Sequence, residues 1–552
     1  MKVVGLYNWH DGGYAVLNDG VVEEHTEFER YTRLKESGGD SLQLFCERYL
    51  KKMHTPESFK KEVLGEYDFA APMPSWSLSK GSGKTYDTHD FLPEDNVHYF
   101  SHHLCHAANS YYSSPFKDAI SISVDNAGML NDNMGLSWST NACNENRIYP
   151  VAAMPSEKFS LGDLWGRMTR WVFKLSSGFP RGHQAGSVMA MAALGDSDKY
   201  YEDLKRMMTV DHRLAVMSPP GAKRGVYVPP DEEVVHPYLN KWRLIAEDEQ
   251  EKFNIAASLQ RVTEDFFVEI VRETVFHLQS QGFDTKNVCF SGGVSLNSVA
   301  MGKLVKKFPD LNFFIPPVPY DGGLSIGAAQ LLYHSVQGNP KVYDEQVALP
   351  YLGETYSNDD ECEALGGHDL NVEESSIEEV AKLLNEGSII SVFSGRSESG
   401  RRALGNRSIL ANPALPEMKQ MINDKVKHRQ WYRPFAPSVL DEHGNDWFED
   451  YFFSPYMGFV FQIKSEKRGL APAIEHFDGS ARIQSVTKDT NPWYHNLISE
   501  FHKLSGVPMV LNTSFNDREP IVETPSDAIN CFLGTNIDYL YFEKSGLLVS
   551  KK

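Results

Sequence analysis

The chain has 552 residues, a formal net charge of −20 and 41% hydrophobic residues. That is enough apolar mass for roughly two to four domains of ~100–200 residues each, which excludes global disorder. The acidic balance excludes a general electrostatic grip on nucleic acid or anionic membrane, though not a local basic pocket. The N-terminal sequence turns polar too soon for a secretion signal, and no apolar run approaches the ~18–20 residues of a bilayer span. The six cysteines form no C-x-x-C pair, so neither a disulfide framework nor a zinc knuckle is expected. A soluble protein of a reducing compartment is expected, cytoplasmic and without a membrane partner.

In chain order, residues 3–7 predict an apolar strand and 8–13 a turn with His10 and Asp11 at its tip. A second strand follows over 14–17, and Asn18-Asp19-Gly20 is a strong hairpin signal. A third strand starts at Val21, and the charged stretch 27–33 ends in a helix. The same grammar recurs at 119–124 (strand), 125–133 (Gly/Asn/Asp turn) and 135–140 (strand). Two such copies are either a duplicated α/β domain or two unrelated hairpins. Leu259, Val262, Phe266, Ile270 and Val271 recur at steps of three and four for the most part, which predicts a helix over 255–279. A strand at 288–290 then leads into the loop Ser291-Gly292-Gly293-Val294. Residues 213–250, with two Pro-Pro pairs and acidic clusters, read as an insertion with a solvated face. A further glycine turn, Asp321-Gly322-Gly323, precedes a helix from 324 to about 334. Residues 337–360, rich in Gly, Pro and Asn, are the best linker candidate. Beyond them the composition changes, and segment 395–435 carries a local charge of +6, which asks for an anionic ligand.

Several constellations carry chemistry. His102 and His106 are spaced i, i+4, so on a helix both imidazoles share one face, as a metal requires. There is no Glu after His102, so the zinc-protease H-E-x-x-H reading fails. Asp125 and Asp321, each at a strand end in a glycine turn, can complete a His/Asp set suited to iron, manganese or zinc. The plain alternative is two incidental histidines. The run 291–297 follows a strand and opens a helix. Its glycines let backbone N–H groups approach a phosphate, or it is an ordinary strand-to-helix turn. Arg396, Arg401, Arg402, Arg407, Lys427, Arg429 and Arg433 are dense in guanidinium, the group that grips phosphate bidentately. They alternate mainly with Gly, Ala, Leu and Pro, which favours a lined pocket over a solvated face. Asn512 to Asn516 add hydroxyl and amide groups after a strand at 509–511.

These motifs together resemble the ATP-dependent O-carbamoyltransferases, the group of the nodulation-factor, cephamycin and aminoglycoside carbamoyltransferases. The most specific parts are residues 395–408 and Arg433-Pro434-Phe435-Ala436-Pro437-Ser438. Residues 478–484, 512–516 and 520–525 support them, and the resemblance spans essentially the whole chain. It implies an α/β protein: a duplicated actin/sugar-kinase-like (ASKHA) domain over 1–345, with halves of about 1–116 and 117–345, a linker at 346–360 and an α+β YrdC-like domain over 361–552. It places the family's catalytic histidine on His10 and its metal motif on His102, His106, Asp125 and Asp321, with Fe2+ the usual metal. Nucleotide contacts in the N-terminal domain fall on Gly128, Gly292, Gly293 and Asn297. The K-x-R and S-x-N elements fall on Lys427/Arg429 and Ser514/Asn516. With Arg396, Arg402, Arg407, Arg433, Arg482 and Asn512, these line a site for carbamoyl phosphate and ATP, the latter with Mg2+. The implied reaction forms carbamoyl-adenylate in the C-terminal domain and transfers its carbamoyl group to an acceptor hydroxyl at the N-terminal metal site. The sequence departs from the family at His183–Ala192, where the usual Glu-Gly-Lys lysine is absent and Ala190 replaces a glycine. The acceptor is expected to be a hydroxyl-bearing small molecule, its pocket shaped by 68–96 and 210–242. A hydroxymethylated pyrimidine in modified viral DNA or nucleotide is the alternative, disfavoured for DNA by net charge. A non-catalytic actin-like nucleotide-binding module is the alternative of another class. A homodimer is compatible with these features.

Overall fold

A computed structural model of the chain describes residues 1–7, 10–36, 68–73, 97–130, 134–156, 158–177, 182–207, 237–342 and 349–552. The chain divides into two units, Met1–Ala348 and Leu349–Lys552. In the first unit, strand β1 (Lys2–Tyr7) hairpins into β2 (Gly13–Asn18), and β2 into β3 (Val21–Glu27). The second hairpin closes through Asp19 and Gly20, both at positive φ, the geometry that a two-residue turn of this kind requires. With β4 (Asp68–Met73) and β5 (Val97–Ser101) these strands form a sheet of order β3-β2-β1-β4-β5. The β1–β2 and β2–β3 pairs are antiparallel, and β1–β4 and β4–β5 are parallel.

A second sheet repeats this plan. Its central strand β6 (Asp118–Leu130) pairs antiparallel with β7 (Met134–Asn144), which pairs antiparallel with β8 (Arg147–Pro155). A minimal ribbon of β9 (Ser176–Ser177) and β10 (Gly182–His183) comes next in the chain. On the other side of β6 lie β11 (Asn287–Ser291) and β12 (Asn312–Phe314), both parallel. The order β8-β7-β6-β11-β12 therefore has the same pairing senses as the first sheet.

Three predicted boundaries change. The turn expected over 125–133 is mostly strand: β6 continues to Leu130, and its register against β7 shifts between Val124 and Gly128. A β-bulge absorbs the polar residues that read as a turn, and such bulges re-aim side chains. The helix expected over 255–279 runs Glu249–Ser280, because the Asp248 side chain accepts from the Glu251 N–H at 2.9 Å as an N-cap. Part of the acidic stretch read as insertion is thus a helix start, and Pro237–Ile245 is helical as well. The rest of that stretch, 213–236, lies outside the described residues, as do 74–96 of the first loop expected to shape the acceptor pocket.

The helix Leu324–Gln330, continued by the wider π-helical turn Leu331–Val336, packs on β1 and on the helix His102–Tyr112. At Gly327 the approach is backbone to backbone. A Cβ there would lie 1.9 Å from the Cys105 carbonyl oxygen, so no larger residue fits without moving a helix.

The second unit is built on an eight-stranded mixed sheet. In chain order its strands are β13 (Leu370–Glu374), β14 (Ile390–Phe393), β15 (Arg407–Ala411), β16 (Ala436–Leu440), β19 (Gln484–Val486), β20 (Met509–Ser514), β21 (Tyr539–Phe542) and β22 (Leu547–Lys551). Their spatial order is β13-β22-β21-β14-β15-β20-β16-β19. A small ribbon pairs β17 (Val460–Gln462) with β18 (Ser480–Arg482). Of the linker candidate, 343–348 lies outside the described residues and its end opens the helix Asn358–Leu365 through a Ser357/Asp360 capping box. Among the described residues no helix is long and apolar enough to cross a membrane.

Candidate metal centre and anion site

In the first unit four side chains converge from three elements. Ser101 caps the helix His102–Tyr112 by accepting from the Leu104 N–H at 3.2 Å, and the helical repeat then stacks His102 and His106 on one face. Asp125 projects from the bulge in β6. Asp321 precedes the helix Leu324–Gln330, and its loop is held from three sides. Asn109 donates to the Val318 carbonyl at 2.7 Å, the His25 ring lies 2.9 Å from the Gly322 carbonyl, and the Tyr320 hydroxyl donates to Glu27.

The donor atoms meet closely. His102 Nε2 and His106 Nε2 are 3.1 Å apart, and they lie 3.0 and 3.2 Å from Asp125 Oδ2. They lie 3.5 and 3.4 Å from Asp321 Oδ1. Donors about 2.1 Å from one shared ion are separated by about 3.0–3.5 Å in octahedral or tetrahedral arrangements. All four residues are buried, and a cation among two buried carboxylates favours their charged forms. The group can therefore hold a metal ion, and its N/O donors suit iron, manganese or zinc. Among the described residues it is the one group of this kind.

Each carboxylate uses its other oxygen to hold its place, the outer-sphere arrangement common at metal sites. Asp125 Oδ1 accepts from the Asn126 N–H at 2.8 Å and the Gly293 N–H at 3.4 Å. Asp321 Oδ2 accepts from the Tyr7 hydroxyl at 3.1 Å. Burial and the Asp321 carboxylate hold the Tyr7 phenol well above its usual range, so it stays a donor. Sequence reading passed over Tyr7, whose only signal is its place at the end of the first strand, beside the turn that carries His10.

His10 sits at the rim of this cluster. Its Nδ1 is 3.1 Å from Asp11 Oδ2 and its Nε2 is 3.6 Å from Asp321 Oδ2, with about half of the side chain exposed. Burial opposes its charge, but the hydrogen bond to Asp11 and the Asp321 carboxylate outweigh it and raise the pKa to about 9. His102 is pushed up to about 10, burial again being outweighed by Asp321 and Asp125. His103, between the two paired histidines, is pushed down to about 3 by burial and by its imidazole neighbours.

The residues expected to contact nucleotide in this unit have structural duties. Gly292 has φ +85°, and a Cβ there would lie 2.2 Å from the Val124 carbonyl oxygen. Its N–H donates to Pro319 at 2.6 Å. Gly293 orients Asp125, as above. Asn297 caps the helix Ser298–Lys307 through the Ala300 N–H at 3.1 Å and exchanges amide hydrogen bonds with Gln260 at 2.8 and 3.1 Å. Gly128 lies in β6 opposite Leu136.

In the second unit the structure divides the arginines. Arg407 is fully buried on the Phe393 ring at 3.6 Å, and its guanidinium donates to the carbonyls of Ser394 at 2.6 Å and Asn406 at 3.0 Å. Arg396 donates to the carbonyls of Gly353 at 2.6 Å and Leu352 at 2.9 Å. These two build the loop between β14 and β15. The buried Glu398 carboxylate helps, accepting from the N–H groups of Leu404 at 2.5 Å and Arg407 at 3.3 Å.

Arg402, Arg429, Arg433 and Arg482 form a cationic cluster. Burial, then the charges of Arg402, Arg433 and Arg429, hold Arg482 well below the usual arginine range. Burial and Arg433 do the same for Arg429, and burial lowers Arg433. Among the described residues no carboxylate pairs with Arg429, Arg433 or Arg482. Half-buried guanidinium groups clustered as Arg429, Arg433 and Arg482 are, with no carboxylate beside them among the described residues, favour a polyanion. The Lys427 ammonium donates to the Ser514 carbonyl at 2.5 Å and to the Asn516 carbonyl and Oδ1, both at 2.7 Å. Ser514 Oγ donates to Asn516 Oδ1 at 2.7 Å, so the K-x-R and S-x-N elements meet. Asn512 donates to the Ala403 carbonyl at 3.0 Å and to Ser438 Oγ at 2.9 Å, tying β20 to the arginine loop.

Residues 81–330 match the carbamoyltransferase N-terminus family and residues 381–551 the carbamoyltransferase C-terminus family. The chain is 30% identical over 617 residues to the uncharacterized protein sll1178 of Synechocystis, covering 97% of this chain and 94% of that one. It is 30% identical to the nodulation protein NolNO of Sinorhizobium fredii, covering 96% and 78%. With NolO of Bradyrhizobium diazoefficiens it shares 32% identity, covering 80% and 77%. Among solved structures, full-length HypF in its phosphate- and nucleotide-bound form is 14% identical with a TM-score of 0.35, over 61% of this chain and 56% of that one. That likeness is too loose to carry weight. The sequence matches span both units, and the chain belongs to the carbamoyltransferase family.

Proposed function

We propose that the protein is an ATP-dependent O-carbamoyltransferase working in two steps, one in each unit. The observation that carries this reading is family membership over both units, each of which holds a site suited to one step. The matching plans of the two sheets in unit one support a duplicated actin/sugar-kinase-like domain there, and unit two is read as the YrdC-like domain. In unit two, water hydrolyses carbamoyl phosphate: the water oxygen bonds to phosphorus, the bond from phosphorus to the carbamoyl oxygen breaks, and inorganic phosphate and carbamate result. A carbamate oxygen attacks the α-phosphorus of Mg2+-bound ATP, the α–β bridging bond breaks, and pyrophosphate leaves behind carbamoyl-adenylate. Arg402, Arg429, Arg433 and Arg482 neutralise the two polyanions, and the Lys427–Ser514–Asn516 cluster binds the carbamoyl-phosphate end. Arg396, Arg407 and Asn512 shape the loop that presents them.

In unit one the adenylate's nucleotide lies along the bulged strand at Gly128 and the turn at Gly292-Gly293, with Asn297 holding that turn. His102, His106, Asp125 and Asp321 would hold a metal, Fe2+ by family expectation, which when bound would supply Lewis-acid stabilisation of charge developing on the carbamoyl oxygen. His10 accepts the proton of the acceptor hydroxyl as its oxygen attacks the carbamoyl carbon, and AMP leaves. The product is an O-carbamate of a hydroxyl-bearing small molecule. Incubation with ATP, isotopically labelled carbamoyl phosphate and a panel of hydroxylated acceptors, read by mass spectrometry, tests this. A labelled O-carbamate with stoichiometric AMP is expected. Absence of AMP formation in every incubation overturns the reading.

A further inference from the structure

Two segments of unit two each supply both a cation and an aromatic ring to one place. The first carries Arg429, Trp431 and Arg433 at alternate positions, and the second carries Phe477 shortly before Arg482. Trp431 is 47% exposed and Phe477 48%, unusual for residues whose burial is worth so much. They are not scattered singly. Their ring centroids are 5.7 Å apart at 83°, forming a right-angled corner, and the Lys419 ammonium sits 4.4 Å over the Phe477 ring. The corner adjoins the arginine cluster, because Trp431 stands between Arg429 and Arg433 in the chain; burial and then the Arg429 charge lower the Lys419 pKa, in keeping with that.

We propose that Trp431 and Phe477 form a stacking corner for the nucleobase of the nucleoside triphosphate whose phosphates the Arg429–Arg433–Arg482 cluster holds. Arg429 is oriented by hydrogen bonds to Asn423 Oδ1 at 2.7 Å and the Pro434 carbonyl at 3.3 Å, and an exposed ring pair beside guanidinium groups that no carboxylate neutralises matches a nucleotide's two halves: a flat π-face and a polyanionic tail. Phosphate contacts position a nucleotide but do not distinguish it from pyrophosphate or tripolyphosphate. The corner makes that distinction. Stacking reads a π-face and not a hydrogen-bonding edge, so these residues set affinity for a nucleotide over a bare polyphosphate. Within that, they do not choose one purine over another.

This proposal rests on the reading of unit two as the adenylate-forming site, and the test separates the two. Carbamoyl-phosphate-dependent ATP–pyrophosphate exchange is measured on the full chain for wild type, Trp431→Ala, Phe477→Ala and Trp431→Phe, with tripolyphosphate as competitive inhibitor. Both alanine variants should raise KM for ATP by about ten-fold or more, with KM for carbamoyl phosphate unchanged. Trp431→Phe keeps a ring and should stay within about three-fold of wild type. Tripolyphosphate has no base, so its inhibition constant should be the same in all four. An unchanged KM for ATP in both alanine variants overturns the stacking corner while the exchange itself upholds the adenylate-forming site. An equal loss of ATP and tripolyphosphate binding also overturns it, since the substitutions would then have damaged the arginine cluster. No exchange in the wild-type protein overturns the underlying reading, and the corner with it.

Discussion

At His10 two carboxylates decide the protonation state. With its pKa raised to about 9, the imidazole is cationic at neutral pH and cannot accept a proton. A divalent ion at the centre would neutralise Asp321, one of the two carboxylates that hold the proton on His10, and leave the hydrogen bond to Asp11. Transfer by the loaded protein should therefore rise with pH along a limb whose midpoint lies below 9. His10→Asn should remove that limb and reduce transfer by about 10²–10⁴-fold, the usual contribution of a general base, with ATP–pyrophosphate exchange unchanged. A variant that transfers at the wild-type rate would make His10 a turn residue and no more. At the centre itself, His102→Ala or Asp321→Ala should lower bound metal by elemental analysis and abolish transfer while exchange persists. Loss of both half-reactions together in a folded variant would contradict the division of labour between the units. The i, i+4 spacing distinguishes His102 and His106 from His103, and was readable. That Tyr7 holds Asp321 was not, because a contact across 314 residues leaves no local pattern.

The elements convert spacing into position. The bulge in β6 and the close approach at Gly327 bring Asp125 and the two histidines to Asp321. Gly327→Ala would set a methyl against the Cys105 carbonyl, and forcing the helices apart should cost about 1–3 kcal/mol. A lower thermal midpoint together with weaker metal binding is the expected result. In unit two, the loop between β14 and β15 separates scaffold from ligand arginines, and stability and exchange measurements should tell them apart. Arg433→Ala removes a charge-assisted contact of roughly 1.5–3 kcal/mol, so exchange should fall about ten-fold or more with the unfolding midpoint unchanged. Arg407→Ala leaves several buried carbonyls without donors and should destabilise the protein by about 3 kcal/mol or more, visible in urea unfolding. Both arginines look alike in sequence. What separates them is that Arg407 begins β15 with its side chain turned onto Phe393, which only the strand register decides.

For the molecule as a whole, buried neutral histidines set a limit in acid. Burial lowers His334 to about 4 and His476 to about 4, and His103 to about 3. Below the unfolded value of about 6.5, the unfolded chain binds protons that the folded chain refuses. Stability should therefore fall as pH drops from about 6.5 toward 4, measured as a decreasing urea midpoint between pH 7 and pH 5. A midpoint that stays flat over that range would show these rings to be solvated.

The strands of the first hairpin, the 255–279 part of the long helix but not its start after Asp248, the i, i+4 histidine pair and the basic character of 395–435 were legible in the sequence. Each rests on local chemistry: apolar runs, turn residues, helical periodicity and charge density. The turn expected after Val124 was instead a bulged strand, because polar residues satisfy either geometry until a partner strand sets the register. Tertiary structure alone decided which carboxylate oxygens face the histidines, and which arginines hold the loop between β14 and β15 and which cluster together. It also decided that an exposed tryptophan and phenylalanine, 46 positions apart in the chain, share one corner. Those outcomes depend on long-range packing, where the energy of a contact is set by what another part of the chain brings to it.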